Sequence, residues 1–419
     1  MIEVPQEATP FQKKNLMSMK TKAAILVSSF AVLLFVVVGS LGGVHASSGD
    51  GSYRQMQVYS EVLSRVQSEY VEDPNIPKVT EGALHGLVES LDANSSYLTP
   101  AAYKTFKAHK SEAKGEIGAT VSKRFGYAAV VSVLPGSPAE KAGIEATDIF
   151  ESIEGQSTRD MSLPEIRSAL AGTPGSTVNV SVVRARRAEP QKMVITRDVV
   201  SIPPVSDKML EDGIGYVKVD ALTRGKAQEI AGKIKSLEKA GAKKLVLDLR
   251  NTSEGEESEG VATANLFLNH GTITYLQGQK FPREAFNADP AKAVTSLPVA
   301  VLVNKGTAGA AEIVAAAIMG NARGDVVGDK TFGDGSVQKT IDLPDGGALI
   351  LSVAKYYSPS GKAIQETAVT PNVLVADEAD NAISEDDGQE SAPEPEAKPK
   401  SMQDDQLHKA VEVLKSRTS

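Results

Sequence analysis

Apolar segments that alternate with helical segments, from Gly213 onwards, constrain the fold of this chain more than any other feature. The segments KKLVLDLR (243–250) and LPVAVLVN (297–304) have the length and residue types of buried strands, and DVVGD (325–329) is a shorter one. Helical patterns lie between them, among them VATANLFLN (261–269) and AAEIVAAAIMGNA (310–322), and GGALILSVAKYYSP (346–359) adds a further strand. This alternation predicts an α/β domain, in which helices pack on a sheet.

The residues before this domain predict helices first and short strands afterwards. Apolar residues recur at helical spacing over 53–72 and 76–91, and Thr99 followed by Pro100 marks the start of another short helix. From residue 115 to about residue 200, short apolar runs are separated by glycine turns, which predicts short strands.

Two local patterns refine this strand-rich segment. SLPEIRSALAG (162–172) predicts a helix with Ser162 as its N-cap. TVNVSVVRA (177–185) and QKMVITRDV (191–199) predict a closing hairpin with an exposed, arginine-rich tip.

An uncharged apolar run from Ala23 to Val44 is long enough to span a bilayer. Four lysines precede it and predict that the N-terminus stays in the cytoplasm: Lys13, Lys14, Lys20 and Lys22. Two outcomes stay open, because the length of the run favours an uncleaved anchor, whereas Val44-His45-Ala46 has the small-residue spacing of a cleavage site. Both outcomes predict that the chain after about Ser47 lies outside the cytoplasm, either as a single-pass membrane protein or free in the periplasm.

The C-terminal part divides into a linker and a helix. Residues 376–402 are acidic and then rich in Pro, Glu, Ala and Lys, which predicts a disordered linker. In DDQLHKAVEVLKS (404–416) the apolar residues fall on one helical face. We expect this helix to dock on the body of the protein or on a second subunit.

Composition excludes several kinds of chemistry. The 419-residue chain contains no cysteine, which excludes disulfides, thiol catalysis and cysteine metal sites. Its formal net charge of −8 gives no reason to expect nucleic acid as a partner. The five histidines are scattered without an HxxxH-like pair, so neither a metal nor a cofactor is predicted: His45, His85, His109, His270 and His408.

Six motifs together resemble the carboxyl-terminal processing peptidases, also called tail-specific proteases. They are SYLTPAAYKTF, PGSPAEKAGI, LVLDLRN, VLVNKGTAGAAEIVAAAI, GDKTFGDGSVQ and AKYYSPSGKAIQ. The resemblance covers nearly everything from Tyr53 to Val373, and also the C-terminal helix. It implies a helical N-terminal segment, a PDZ domain and an α/β core that holds a serine–lysine pair. Family members cut extracytoplasmic proteins near their C-termini, and their PDZ domain recognises the substrate tail.

The patterns and this resemblance together predict seven segments along the chain. They are a cytoplasmic N-terminus (1–22), a transmembrane anchor or signal peptide (23–46), a helical segment (47–110), a PDZ domain (111–200), a peptidase-like α/β core (201–375), the linker (376–402) and the C-terminal helix (403–419).

The chain departs from the family at both positions of the serine–lysine pair. The family nucleophile is the middle serine of a Ser-Ala-Ser-Ala-Ser-Glu run, and the corresponding residue here is Gly309. The family lysine lies in a Thr-Phe-Gly-Lys-Gly turn, where this chain has Asp334; the family glutamine is retained as Gln338. Glycine offers no nucleophile, and an ionised aspartate is a poor base for a hydroxyl.

A third departure lies in the turn after LVLDLR. The family has Asn-Asn-Pro-Gly-Gly there, and its backbone helps to form the oxyanion hole. This chain has Asn-Thr-Ser followed by Glu254 and Gly255. Glu254 adds negative charge where an oxyanion would develop, which is the wrong sign for stabilising the transition state.

Two substitutes for the missing site stay open as minor alternatives. Thr307, two residues before Gly309, is the candidate for a relocated nucleophile. The carboxylates of Asp334, Glu254, Glu256 and Glu257 are suitable ligands for a hard cation, but a solvated acidic loop explains them better, and no metal is predicted.

The peptide-binding loop of the PDZ segment is better preserved. Gly115, Glu116, Ile117 and Gly118 match the family's carboxylate-binding loop, whose backbone N–H groups hold a peptide terminus. The peptide then adds as a strand to a sheet edge, and Ile117 would line the pocket for its terminal side chain. Glu116 stands where the family often has glycine and is expected to weaken or retune binding to an anion.

These observations predict a catalytically inactive relative of the family. We expect it to bind the C-terminal tails of extracytoplasmic proteins, as an adaptor or as a regulator of an active peptidase relative. A homo-oligomer or a mixed oligomer is expected. The alternatives are an active endopeptidase that uses Thr307 and a purely structural envelope protein.

Overall fold

A computed structural model describes residues 49–112, 115–184, 189–376 and 404–416. The predicted membrane segment, nearly all of the predicted linker and the tip of the predicted hairpin lie outside these residues. Within the described residues no helix combines the length and apolar character needed to cross a membrane. The chain divides into two compact units, Met1–Val79 and Thr80–Ser419.

The first unit contains α1 (Gly49–Glu69) and the beginning of α2 (Ile76–Glu89), which continues into the second unit. Both helices lie within four residues of the predicted bounds. Asn75 begins α2, because its side-chain oxygen accepts a hydrogen bond from Lys78 N at 3.1 Å. Helix α1 leaves large apolar side chains exposed: Tyr53, Met56, Val58, Tyr59 and Val62.

The second unit continues with β1 (Ser96–Leu98) and α3 (Pro100–Glu112). Helix α3 starts as predicted, since Ala102 N donates to Thr99 Oγ1 at 3.2 Å. A PDZ-like antiparallel sheet follows, in the order β2-β3-β4-β6-β7 with β5 paired to β4. Its strands are β2 (Ala119–Arg124), β3 (Tyr127–Val133), β4 (Ile149–Ile153), β5 (Gln156–Ser157), β6 (Thr177–Val183) and β7 (Gln191–Thr196).

Two helices accompany this sheet, α4 (Pro138–Lys141) and α5 (Leu163–Leu170). The predicted N-cap of α5 is confirmed: Ser162 N donates to the Glu165 carboxylate at 2.8 Å. Helix α5 buries Leu163, Ile166 and Leu170 in the same core as Phe150 and Ile153.

The α/β core is built on a six-stranded sheet in the order β19-β16-β15-β11-β9-β8. All neighbours are parallel except β8 and β9. The strands are β8 (Ser206–Met209), β9 (Ile214–Lys218), β11 (Lys244–Asp248), β15 (Val299–Val303), β16 (Gly324–Gly328) and β19 (Val373–Leu374). The predicted strand–helix alternation is confirmed.

Helices cover both faces of this sheet. Helices α6 (Lys226–Lys239), α7 (Glu257–Asn265) and α8 (Ala310–Gly320) share one core with β11 and β15. On the opposite face, Ala410 and Leu414 of α9 (Asp405–Ser416) pack on alternate residues of the same strands. The C-terminal helix therefore docks on the body of the chain, one of the two predicted places for it.

A second, antiparallel sheet was missed by the sequence patterns, except for one strand. It contains β1, β13 (Thr272–Gln277), β14 (Glu284–Asn287), β17 (Ser336–Asp342) and β18 (Ala348–Tyr357). Strand β17, SVQKTID, is exposed over most of its length, so it carries no apolar alternation that would predict a strand. A small parallel pair joins β10 (Ala221–Leu222) to β12 (Glu254–Gly255).

The helix predicted over residues 261–269 was placed too late in the chain. Helix α7 begins at Glu257 and ends at Asn265. Acidic residues in its first turn favour the helix N-terminus, and the Asn265 side chain donates to Leu268 O at 2.9 Å just after the last turn. Glu257 therefore belongs to a helix that begins beside the site described next.

Candidate active site

Gly309 forms a tight elbow between strand β15 and helix α8. Its backbone has φ 61° and ψ −121°, a combination that glycine adopts at far less cost than other residues. A Cβ built on Gly309 would meet no atom within 4 Å. The position expected for the nucleophile is therefore an open, sharply turned N-cap from which a side chain would project into free space.

Glu312, in the first turn of α8, connects this elbow to the glycine-rich turn. Its carboxylate accepts hydrogen bonds from Gly309 N at 3.1 Å, Gly333 N at 2.9 Å and Asp334 N at 2.8 Å, and from the Thr331 hydroxyl. The side chain is fully buried, and this burial raises the pKa of Glu312 to about 8. Sequence reasoning missed this role, although the Gly309-x-x-Glu312 spacing is that of a capping box.

Asp334, at the position of the family lysine, is half-buried and is hydrogen-bonded to a residue that lies far away in the sequence. Its Oδ1 accepts from Asn94 Nδ2 at 3.1 Å, and the same amide donates to Ser336 Oγ at 3.0 Å. Gln338 is exposed, and its Nε2 also donates to Ser336 Oγ, at 2.7 Å. The structure thus links Asp334 to Gln338 through Asn94 and Ser336, two residues that the sequence patterns did not predict at the site.

Thr307 is shielded from solvent, and its hydroxyl is hydrogen-bonded within the protein. The residue is fully buried; its hydroxyl donates to Leu249 O at 2.8 Å and accepts from Asn304 N at 3.0 Å. Both contacts hold the turn between β15 and α8. A hydroxyl used in this way is a structural group, and it has no path to an approaching substrate.

The turn that follows β11 lies against the start of α8. Ala308 N donates to Thr252 O at 2.9 Å. A Cβ on Gly255 would lie 2.5 Å from Leu222 O, so glycine is needed where β12 approaches β10. The Glu254 side chain is exposed, but its pKa is raised, first by partial desolvation and then by the negative charge of Glu116; Arg167 opposes this effect.

Glu257, at the start of α7, adds a further carboxyl group to this region. Its pKa is raised mainly by burial and, to a smaller extent, by the negative charges of Asp334 and Glu256. The structure therefore brings Glu257 towards Asp334. In the part of the chain that the structure describes, no three His, Cys, Asp or Glu side chains form a group suited to a metal ion.

The PDZ loop has two backbone N–H groups that are already bonded. Gly115 N donates to Gly172 O at 2.9 Å, and Glu116 N donates to Asp198 O at 2.8 Å. The N–H groups of Ile117 and Gly118 have no acceptor among the described residues. The Ile117 side chain is 2% exposed and packs in the PDZ core. Two of the four predicted loop residues can thus offer a backbone donor to a peptide carboxylate.

The PDZ sheet contacts the candidate site directly. The Ser132 hydroxyl on β3 is hydrogen-bonded to the hydroxyl of Ser253, in the turn after β11. The Arg124 guanidinium at the end of β2 lies 5.0 Å from the centre of the Phe332 ring, two residues before Asp334. The PDZ-like sheet therefore lies beside both halves of the site.

Comparison with known proteins matches both domains. The model of peptidase family S41 matches residues 213–375, and a PDZ domain model matches residues 130–184. The chain is 32% identical over 351 residues to "Carboxy-terminal processing protease CtpA" of Bacillus subtilis (strain 168), covering 83% of this chain and 74% of that protein. It is 35% identical over 292 residues to the "Carboxyl-terminal-processing protease" of a Picosynechococcus species, covering 68% and 70%.

A solved structure supports the same assignment. The photosystem II D1 C-terminal processing protease superposes with a TM-score of 0.63 and 26% identity, covering 76% of this chain and 92% of that one. The predicted fold class, with a helical N-terminal segment, a PDZ domain and an α/β core, is confirmed. On this identity and coverage, the chain belongs to the carboxy-terminal processing proteases of peptidase family S41.

Proposed function

We propose that this family member is catalytically inactive and binds the C-terminal tails of proteins through its PDZ domain. The observation that carries the proposal is Gly309, which places no atom in the open space at the N-terminus of α8. Covalent catalysis needs a side-chain nucleophile there. With Asp334 at the lysine position, the site also lacks an amine to activate one.

Two features of the surroundings of Gly309 support inactivity. The Thr307 hydroxyl is buried and engaged with Leu249 O and Asn304 N, which argues against a relocated nucleophile. Three carboxyl groups lie at the site, those of Glu254, Glu257 and Asp334. They would repel the oxyanion of a tetrahedral intermediate, which an active site of this type must stabilise.

Tail binding is supported by the PDZ domain itself. Strand β2 lies at the end of its sheet, with β3 as its partner, so its outer edge can accept an added strand. The N–H groups of Ile117 and Gly118 are adjacent and lack an acceptor among the described residues. A terminal carboxylate would satisfy both donors.

The cellular setting is part of the same proposal and depends on the sequence. The apolar run 23–44 would anchor the chain in the membrane with the PDZ domain and core outside the cytoplasm, or direct it to the periplasm if it is cleaved. The bound tails would then be those of extracytoplasmic proteins. An active relative in the same compartment is the partner to which such tails would be presented.

The test of inactivity is cleavage of an unfolded protein substrate by the purified full chain in mild detergent. We expect no cleavage above buffer alone, and none from Thr307→Ala. The double variant Gly309→Ser with Asp334→Lys shows whether the rest of the site is still assembled. Cleavage by the natural chain that Thr307→Ala abolishes would overturn the proposal and make Thr307 the nucleophile.

The test of tail binding uses fluorescently labelled short peptides with a free or an amidated C-terminus. We expect the free carboxylate to bind more tightly, because the amide cannot accept from two N–H donors as an anion does. Equal binding of both forms would argue against the PDZ domain as a reader of C-termini. Protein cleavage and peptide binding are independent readouts, so either half of the proposal can fail alone.

A further inference from the structure

Arg167 is a cationic side chain that the structure places against the outer edge of β2. It lies on α5, whose neighbouring residues Ile166 and Leu170 are buried, whereas Arg167 is exposed. Its Nη2 donates to Val121 O, on β2, over 3.4 Å. This bond is long and weak, and Arg167 makes no ion pair with any described residue.

The position of Arg167 along β2 defines which residue of a bound tail it would meet. A carboxylate held by the N–H groups of Ile117 and Gly118 places the terminal residue of the tail beside Ala119. An added strand runs antiparallel to β2, so each step back along the tail is one step forward along β2. The third residue from the C-terminus then lies opposite Val121, whose carbonyl Arg167 now covers.

Local charge indicates what Arg167 can recognise. Glu116 and Glu254 both lie near enough to influence one another, and Arg167 partly offsets their repulsion. Neither carboxylate lies within ion-pair distance of the guanidinium. The guanidinium therefore has no carboxylate partner among the described residues, and an acidic side chain on a bound tail would supply one.

We propose that Arg167 selects tails that carry Asp or Glu at the third position from the C-terminus. When such a tail binds, the guanidinium leaves Val121 O, which accepts the N–H of the added strand, and pairs with the tail's side-chain carboxylate. The inference rests on the proposed tail binding and names the class of peptide that the same groove takes.

The experiment measures fluorescence anisotropy with the full chain in mild detergent. Three labelled peptides with free C-termini differ only at the third residue from the end, which is Glu, Gln or Lys. We expect the Glu peptide to bind about fivefold more tightly than the Gln peptide, the size typical of a partly exposed ion pair. Raised salt should reduce this ratio.

Variants decide whether Arg167 is responsible. Arg167→Gln should bring the Glu-to-Gln ratio to about one, and Arg167→Glu should make the Lys peptide the tightest of the three. Lys192→Gln is the matched control, because it removes a positive charge from β7, at the opposite edge of the same sheet, and should keep the natural ratio.

The possible failures are distinguishable. Equal binding of the Glu and Gln peptides to the natural chain, or an unchanged ratio in Arg167→Gln, would overturn the inference and leave tail binding intact. If the free and amidated forms of the Glu peptide bind equally, the proposed reading of C-termini fails as well.

Discussion

Gly309 and Asp334 donate their backbone N–H groups to the same oxygen, Oε2 of Glu312, at 3.1 and 2.8 Å. These residues occupy the positions at which the family carries its serine and its lysine. Their relative placement therefore depends on backbone donors and one buried carboxylate, and not on the two missing side chains. The local geometry of the site therefore does not require a serine or a lysine side chain at these two positions.

The first prediction concerns this shared carboxylate. Burial raises the pKa of Glu312 from 4.5 in the unfolded chain to about 8 in the folded one. Between these two pH values the folded state holds a proton that the unfolded state has released. The stabilisation that Glu312 contributes is therefore fully present below pH 4.5 and is lost as the pH rises to about 8. The free energy of unfolding should fall by up to about 1.4 kcal/mol per pH unit in that window.

Urea unfolding at a series of pH values measures this dependence. Glu312→Gln cannot titrate, so its stability should vary less between pH 4.5 and 8, whatever its absolute value. Glu72→Gln, at an exposed residue, is the control and should keep the slope of the natural chain. Parallel curves for Glu312→Gln and the natural chain would show that Glu312 is ionised in the folded state.

The second prediction concerns the backbone of Gly309. Gly309→Ala should lower the free energy of unfolding by about 1–3 kcal/mol, because alanine is strained at φ 61° and ψ −121° even though its Cβ meets no neighbour. Gly232→Ala is the matched control, since Gly232 lies within α6 and also has open space around its Cβ. That change should stabilise the chain by up to about 1 kcal/mol.

Equal effects of the two glycine substitutions on thermal or urea unfolding would contradict the strained elbow. The comparison also bears on the reversion experiment. Gly309→Ser carries the same backbone cost as Gly309→Ala, so the stability of the double variant must be measured before its activity is interpreted.

The third prediction assigns Thr307 a structural role. Thr307→Val keeps the shape of the side chain but removes the hydroxyl, which leaves Leu249 O and Asn304 N without their partner. We expect a loss of about 1–3 kcal/mol in the free energy of unfolding. Thr307→Ser retains the hydroxyl and should lose less. Urea unfolding of the two variants tests the order, and a Val variant as stable as the Ser variant would refute it.

The fourth prediction concerns the docking of the C-terminal helix. Asp404 accepts two hydrogen bonds at 2.8 Å from the Arg250 guanidinium, directly before the turn that contains Glu254. Partial desolvation opposes ionisation of Asp404, but the contacts with Arg250 lower the pKa of Asp404 below the usual value. Because the pKa of Asp404 is lower in the folded chain than in the unfolded chain, its contact with Arg250 stabilises the folded state above pH 3.8, the pKa in the unfolded chain. This stabilisation is lost as the pH falls below that value.

Asp404→Asn should therefore increase amide hydrogen exchange in α9 at neutral pH, by an amount that corresponds to about 1 kcal/mol. Lys409→Gln, which breaks an exposed pair with Glu412 on the same helix, is the control and should have little effect. Unchanged exchange in Asp404→Asn would mean that the Arg250–Asp404 pair is not needed to hold the helix in place.

The strands and helices of the parallel core could be read from the sequence because their apolar patterns are local. Buried strands such as KKLVLDLR and the helix after Gly309 carry continuous or periodic apolar residues. The second sheet escaped prediction for the opposite reason. Strand β17 is held by pairing with β18 and is largely exposed, so its residues carry no burial pattern of their own.

The α/β class, the family resemblance and the identities of Gly309, Asp334 and Glu254 follow from the amino-acid sequence, because each is a property of a short segment. The tertiary structure was needed to show that the Asn94 amide donates to Asp334, 240 residues away, and that Arg167 donates to Val121 O. It also showed that the Thr307 hydroxyl already donates a hydrogen bond to Leu249 O. Contacts between distant segments arise when packed elements bring side chains together, and such contacts leave no periodic signal along the chain.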